Sequence, residues 1–364
     1  MSERILIVGA RAGQALHGET FSHPKSNDGD LPFITFYDKD PGISLRQDLP
    51  YLNEARRRGK VRLVHTMPRE PFDAAVISTG SAYHSVATED VLRAHKQPPL
   101  FMIEKPLAAT PEELAHFKHL AQYIPPESFT NEPYLISRTT AMFRNYLHQQ
   151  QAAGNPPTDV FAWLSKRRKL QLPHGVLGTF GVELPHIHGV AAHIAGVALG
   201  PENVEENTYF SDVDKIPGND GNYLRFRVGG VALHVAQGLG AFTMNQYGRM
   251  KRNPSPPLVR KMAARFQDHT VVADLESVFT TTKSPDGYGV IEHFNQEGKP
   301  VEGSKSKIED DPRHYLAKYV LERIRNPSLP LLRNVTLEDS LARSEALLAL
   351  RSQVTIDHER ILDS

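Results

Sequence analysis

Lys105 is the first residue whose type and place suggest chemistry. It follows Glu104 at the end of the apolar run Leu100–Ile103 and is followed at once by Pro106. The apolar run reads as a buried strand, and the proline ends its hydrogen-bonding ladder. In an open α/β sheet, ligands bind beyond the carboxyl ends of the strands. An ammonium placed there can stabilise negative charge developing on a substrate oxygen. A histidine suits the matching proton transfer near neutral pH, and "ELPHIHGVAAHIAG" places His186 on a helix. Glu183 lies three residues before it, on the same helix face, where it can orient the imidazole or hold a hydroxyl. His188 is a further substrate-side candidate, with a bystander as the plainer reading. The plainer alternatives are a strand-end lysine in a surface ion pair and a histidine packed in a helix. The alternating histidines lack a convincing third ligand, so no metal is expected.

The turn "IVGARAGQALHG" carries the cofactor candidates Gly9, Arg11 and Gly13. Glycines in a first strand-to-helix turn let the backbone and the helix N-terminus approach a pyrophosphate. Arg11 and Gln14 break the full glycine pattern, so a tight turn without ligand competes with this reading. Asp38 ends the next strand, where a carboxylate accepts bonds from the adenosine ribose and repels a 2′-phosphate. It favours NAD, while Arg11 and Lys39 leave NADP open. Thr79 and Glu104 lie at two further strand ends and complete the expected cofactor mouth. Tyr134, Arg138, Lys166 and Arg168 are the substrate-side candidates, their cations suited to a phosphate or carboxylate as in nucleotide-sugars. A solvated basic face is the competing account.

The elements that must position these residues change character near residue 134. Before it, "RILIVGA", "LPFITFYDKD", "VRLVHTM", "FDAAVISTG" and "PLFMIEK" are strands. Helices alternate with them at "SVATEDVLRAHK", with Val86, Val91 and Leu92 on the apolar side, and at "PEELAHFKHLAQYI". That alternation predicts a doubly wound parallel sheet over 1–134. "SHPKSNDGD" reads as a loop insertion. After residue 134, helices at "TTAMFRNYLHQQQ" and 183–196 accompany many strand-like segments with few helices between them. An α/β domain with an open, mostly antiparallel sheet over 135–364 is expected. Residues 248–266 read as a basic loop with a short helix. The terminal helix 336–353, capped by Thr336, is expected to pack back on the first domain.

The 364 residues exceed one ordinary core. Lys and Arg balance Asp and Glu at 42 each, which argues against a general nucleic-acid binder. There is no cysteine, no apolar run long enough to span a membrane and no leader pattern, so a cytoplasmic protein is expected.

The segments "FDAAVISTGSAYHSVATEDVLRAHK", "FMIEKPLAAT" and "YLAKYVLERIRNPSLPLLRNVTLEDSLARSEALLALRSQ" together resemble the glucose-fructose oxidoreductase and inositol dehydrogenase family. The resemblance implies an N-terminal Rossmann domain and a C-terminal domain with a large open sheet. It also implies an NAD(P)-dependent oxidoreductase acting on a sugar, amino sugar, nucleotide-sugar or cyclitol, and assembly of copies through that sheet. By the same resemblance Lys105 contacts the substrate hydroxyl and the nicotinamide, His84 lies near the cofactor, and the peptide before Pro106 is cis. His186 falls on the family's catalytic histidine, but the family's aspartate position falls on Val182, with Glu183 beside it. Lys105 is therefore expected to meet His186 in the cleft between the two domains. An imine reductase or redox-neutral enzyme of this fold, and a non-catalytic sugar- or cofactor-binding regulator, are the alternatives.

Overall fold

The computed structural model of the chain describes residues 2–166, 184–196, 199–211, 220–239, 242–244, 246, 250–252, 258–278, 287–332, 334–356 and 361–362. The chain divides into two compact units, Met1–Pro133 with Arg313–Ser344, and Tyr134–Pro312 with Glu345–Ser364.

The first unit is built on six parallel strands: β1 Arg4–Val8, β2 Phe33–Tyr37, β3 Val61–Val64, β4 Ala74–Ile77, β5 Leu100–Glu104 and β6 Phe129–Asn131. Their order is β3-β2-β1-β4-β5-β6. The strand order reverses between β1 and β4, which makes their carboxyl ends the switch point of the sheet. Ile5, Leu6 and Ile7 are wholly buried, as are Val76 and Ile77. Both faces are covered, which is why these strands read as continuous apolar runs rather than alternating ones. The helix Pro111–Leu120 begins where expected, with Thr110 Oγ1 accepting the Glu113 N–H at 3.2 Å. Thr336 caps the helix Leu337–Arg351 in the same way, accepting the Asp339 N–H at 3.1 Å.

Two local expectations give way here. The stretch read as a loop insertion holds a short helix, Pro24–Asn27, started by His23, whose side chain accepts the Lys25 N–H. Asn27 closes it by donating to the Phe21 carbonyl at 2.9 Å. The helix His84–Ala94 buries His84, Ser85, Ala87, Thr88 and Val91, whereas Val86 is exposed. Val91 of the expected apolar side is buried and Leu92 half-buried, so only Val86 departs from it, and small and polar residues complete the packed face.

The second unit holds a nine-stranded mixed sheet. Its strands are β7 Asp159–Lys166, β8 Val204–Ser211, β9 Asp220–Val228, β10 Val231–Leu239, β13 Val259–Arg265, β14 His269–Asp274, β15 Tyr288–Asn295, β16 Ser306–Glu309 and β17 Thr355–Ile356. The order is β16-β15-β14-β13-β7-β10-β9-β8-β17, antiparallel except where β10 meets β7 and β17 meets β8. A three-stranded sheet joins β11 Phe242–Met244, β12 Met250–Arg252 and β18 Ile361–Leu362. The short helix expected within 248–266 is replaced in its described part by β12 and β13. Met262, Ala263 and Ala264 are all buried in the sheet, and those strand contacts outweigh local helix propensity.

The helix Arg138–Ala152 packs on β14, β15 and β16, and the helix Leu184–Ala195 packs on β7 and β10. Ring contact between His188 and Phe226 at 5.9 Å identifies the helix side of the sheet. On the other side, Phe161 stacks on His234 at 4.6 Å and lies under the Arg265 guanidinium at 5.7 Å.

Candidate active site

At the end of β1 the chain turns through Gly9, whose φ of 92° is a conformation L side chains rarely adopt. A Cβ there would lie 2.6 Å from the Ser78 carbonyl oxygen, so the turn sits tightly against the end of β4. A helical run follows: Ala10–Gly13, a π-helical turn Gln14–Gly18, then Glu19–Ser22. Gly13 and Gly18 let it seat closely, since a Cβ at either would collide with Ile7 or the Phe36 ring. The Ala10 N–H, one of the donors a helix start leaves over, bonds the Asp38 carboxylate at 2.9 Å. The other Asp38 oxygen accepts the Asp40 N–H at 3.1 Å. Asp38 is thus both a helix cap and the first residue of a turn. Arg11 reaches outward to Asp40 at 3.5 Å, and Lys39 pairs with Asp90 at 2.9 Å. His65 Nδ1 meets the Asp38 carbonyl at 2.9 Å. Buried Gln14 ties the following loop, donating to the Ser44 carbonyl and accepting the Arg46 N–H.

Lys105 is half-buried just beyond β5, and the Lys105–Pro106 peptide is cis. Glu104 Oε1 lies 2.8 Å from His17 Nε2 and accepts the Asn131 side-chain amide at 2.6 Å. Glu104 and Asn131 face each other in the β5–β6 register. Burial pushes the Glu104 carboxyl up, but the bonds and charge of His17, the Asn131 amide and the Lys105 ammonium outweigh it and hold the group down at about 2. Glu104 is therefore a fixed anion beside Lys105.

His84 is buried, with Nδ1 2.9 Å from the Pro106 carbonyl and Nε2 3.1 Å from the Thr79 carbonyl. Burial lowers its pKa against the pull of Glu104 and the two carbonyls. Glu113 accepts the His84 and Ala109 N–H groups at 3.2 and 2.9 Å, and burial raises its carboxyl to about 6 despite those bonds.

In the second unit, Tyr134 and His186 meet edge to face at 4.9 Å, and the Arg260 guanidinium lies 5.8 Å from the Tyr134 ring centre. Tyr134 and His186 are both buried. His188, wholly buried, points instead to the Leu199 carbonyl at 2.8 Å. Arg138 opens its helix, its N–H bonded to Asp310 at 3.1 Å. Lys166 ends β7. Arg168 and Glu183 lie outside the described residues.

The first unit thus collects Gly9, Arg11, Asp38, Thr79 and Lys105 at neighbouring strand ends. The second collects Tyr134 and His186, with His188 turned to the core. Sequence reasoning passed over His17, Asn131 and Arg260. Asn131 could have been found as the strand-end residue beside Glu104 once β6 was recognised. Arg260 was hidden in the segment read as a basic loop. Among the described residues, no group of three or more His, Asp or Glu could hold a metal ion, and no helix is long and apolar enough to cross a membrane.

No protein-family model matches the chain, and no curated protein sequence matches it. Solved structures do match in fold. KijD10, a 3-ketoreductase from Actinomadura kijaniata solved with TDP-benzene and NADP, aligns with a TM-score of 0.66 at 14% identity, over 98% of this chain and 99% of that one. UDP-N-acetylglucosamine 3-dehydrogenase GnnA from Acidithiobacillus ferrooxidans aligns with a TM-score of 0.59 at 13% identity, over 97% and 98%. The fold is the two-part architecture the sequence resemblance implied.

Proposed function

We propose that the chain is a nicotinamide-dependent oxidoreductase that interconverts a hydroxyl and a keto group on a nucleotide-activated sugar. The observation that carries this is the gathering of Gly9, Asp38, Thr79 and Lys105 at the carboxyl ends of β1, β2, β4 and β5, around the strand-order reversal. The fold is shared with a ketoreductase solved with NADP and with a UDP-sugar dehydrogenase.

The mouth fits a dinucleotide. Gly9 gives the backbone its close turn, and the helical run beginning at Ala10 presents its N-terminus there. We assign NADP ahead of NAD. Both Asp38 oxygens already accept backbone N–H bonds, while Arg11 and Lys39 stand beside them in exposed pairs that a 2′-phosphate can replace. When bound, the nicotinamide supplies or takes the hydride. The Lys105 ammonium stabilises charge on the sugar oxygen, and His186 moves its proton. Tyr134 fixes the His186 ring, and Arg260 offers a cation to the substrate's phosphates. The face of the large sheet bearing Phe161, His234 and Arg265 is the proposed contact with a second copy, and the cytoplasm is the proposed location.

The test is titration with NADP and NAD by calorimetry, followed by incubation with UDP-N-acetylglucosamine and either oxidised cofactor. Cofactor binding with turnover supports the enzyme. Binding without turnover on any nucleotide-hexose supports the non-catalytic alternative, and no binding of either cofactor overturns both.

A further inference from the structure

Lys105 carries a flexible side chain, and a cation that stabilises a reacting oxygen must be held in place. The chain on either side of it is fixed by a buried histidine from a different helical element. Before Lys105, His17 Nε2 holds Glu104 at 2.8 Å, with Asn131 on the same oxygen. After it, His84 sits between the Pro106 and Thr79 carbonyls at 2.9 and 3.1 Å, where a neutral imidazole donates to one of the two at a time. Exposures of 4% for His17 and 1% for His84 leave neither ring a surface from which to touch a ligand, so each reaches the mouth only through the residue it holds.

The way His17 is delivered supports a dedicated role. It lies in the π-helical turn Gln14–Gly18, a local irregularity that often marks a functional site. Gln14 pins one end of that turn to the 44–46 loop, and Gly18 seats the other against Phe36. A buried carboxylate held by a histidine gives a fold little stability that an apolar pair could not supply. Its place directly before Lys105 points to another reason.

We infer that His17, through Glu104, and His84, through the Pro106 carbonyl, are positioning residues that fix Lys105 for the reaction. This rests on the assignment of Lys105 above. His17→Leu keeps bulk and removes the donor, whereas His17→Gln keeps a donor. His84→Leu and His84→Gln form the matching pair. With UDP-N-acetylglucosamine and the preferred cofactor, each Leu variant should lower kcat by about ten- to a hundredfold, the scale of a small misplacement of a reacting group. KM and cofactor Kd should stay within about twofold, and the Gln variants should recover most of kcat. A second readout needs no turnover. In protein labelled with carbon-13 at the lysine ε position, the Lys105 resonance, assigned with Lys105→Arg, should move in both Leu variants toward the position of exposed Lys118. Wild-type kcat with an unmoved Lys105 resonance in the Leu variants overturns the inference, as does a loss confined to cofactor Kd. Wild-type turnover by Lys105→Ala removes the underlying assignment instead. An inactive Lys105→Ala beside fully active Leu variants removes only the positioning claim.

Discussion

Lys105 and His186 are proposed for one reaction but differ in what surrounds them. Around Lys105 the bonds are polar and buried: His17 and Asn131 on Glu104, and His84 and Glu113 on the loop that follows. Around His186 packing is prominent. Every residue from Leu184 to Ala191 is buried, and the ring rests on Tyr134. A cation that must face charge gains from fixed dipoles and a fixed anion, which need no reorganisation when the reaction occurs. A proton carrier needs its ring aimed, and neighbouring side chains can do that by shape. Mutations should therefore act in different currencies: turnover at the first region, fold stability at the second.

The largest effect is expected at Lys105. Lys105→Ala should reduce kcat by roughly a hundred- to ten-thousandfold, with cofactor Kd little changed, and Lys105→Arg should not restore it, because the planar guanidinium cannot occupy an ammonium's place. Steady-state kinetics with separate cofactor titration checks this. At the packed region, Tyr134→Ala should cost about 3 kcal/mol or more in urea unfolding, whereas Tyr134→Phe should cost far less, because the ring supplies the contact. Equal losses of stability for the two would end the contrast between the regions.

Asp38→Ala should cost about 1 kcal/mol from the lost bond to the Ala10 N–H, read by urea unfolding. It should also leave the ratio of NADP to NAD affinity unchanged, because both carboxylate oxygens already accept backbone N–H groups. Weaker NAD binding by the variant, and so a stronger preference for NADP, would restore the ribose role that the sequence suggests.

The last effect is graded. His314 is buried against His23 at 4.4 Å and bonded to Ser26 at 2.6 Å. Burial, then the charges of His23, Lys25 and Arg313, push its pKa down to about 3. An unfolded histidine titrates near 6.5, so below about pH 6.5 the unfolded chain binds the additional proton and stability falls as pH falls, by at most about 1.4 kcal/mol per pH unit. Urea midpoints for His314→Asn should fall less steeply than those of the wild type between about pH 6.5 and 4. Parallel slopes would show that His314 is not the responsible group.

The parallel sheet was legible because buried strands write themselves as apolar runs ended by glycine, acid or proline. Gly9, Asp38 and Lys105 were legible for the same reason, being the residues that end those runs. The partners were not. His17 meets Glu104 across 87 residues of chain, through a π-helical turn that no local periodicity announces. The helix Pro24–Asn27 was missed because a histidine caps it, an uncommon choice beside Ser, Thr, Asp or Asn. Arg260 was missed because a strand with two lysine or arginine neighbours reads as a basic loop until its pairing with β7 is known.

The most direct test of the account follows reduced nicotinamide by its near-ultraviolet absorbance while the purified protein is mixed with NADP and UDP-N-acetylglucosamine, with Lys105→Ala in parallel. The account predicts absorbance that grows in proportion to wild-type protein and stays near baseline with the variant, although both bind NADP. Equal rates for the two proteins, or failure of the wild type to bind either nicotinamide cofactor, would contradict it.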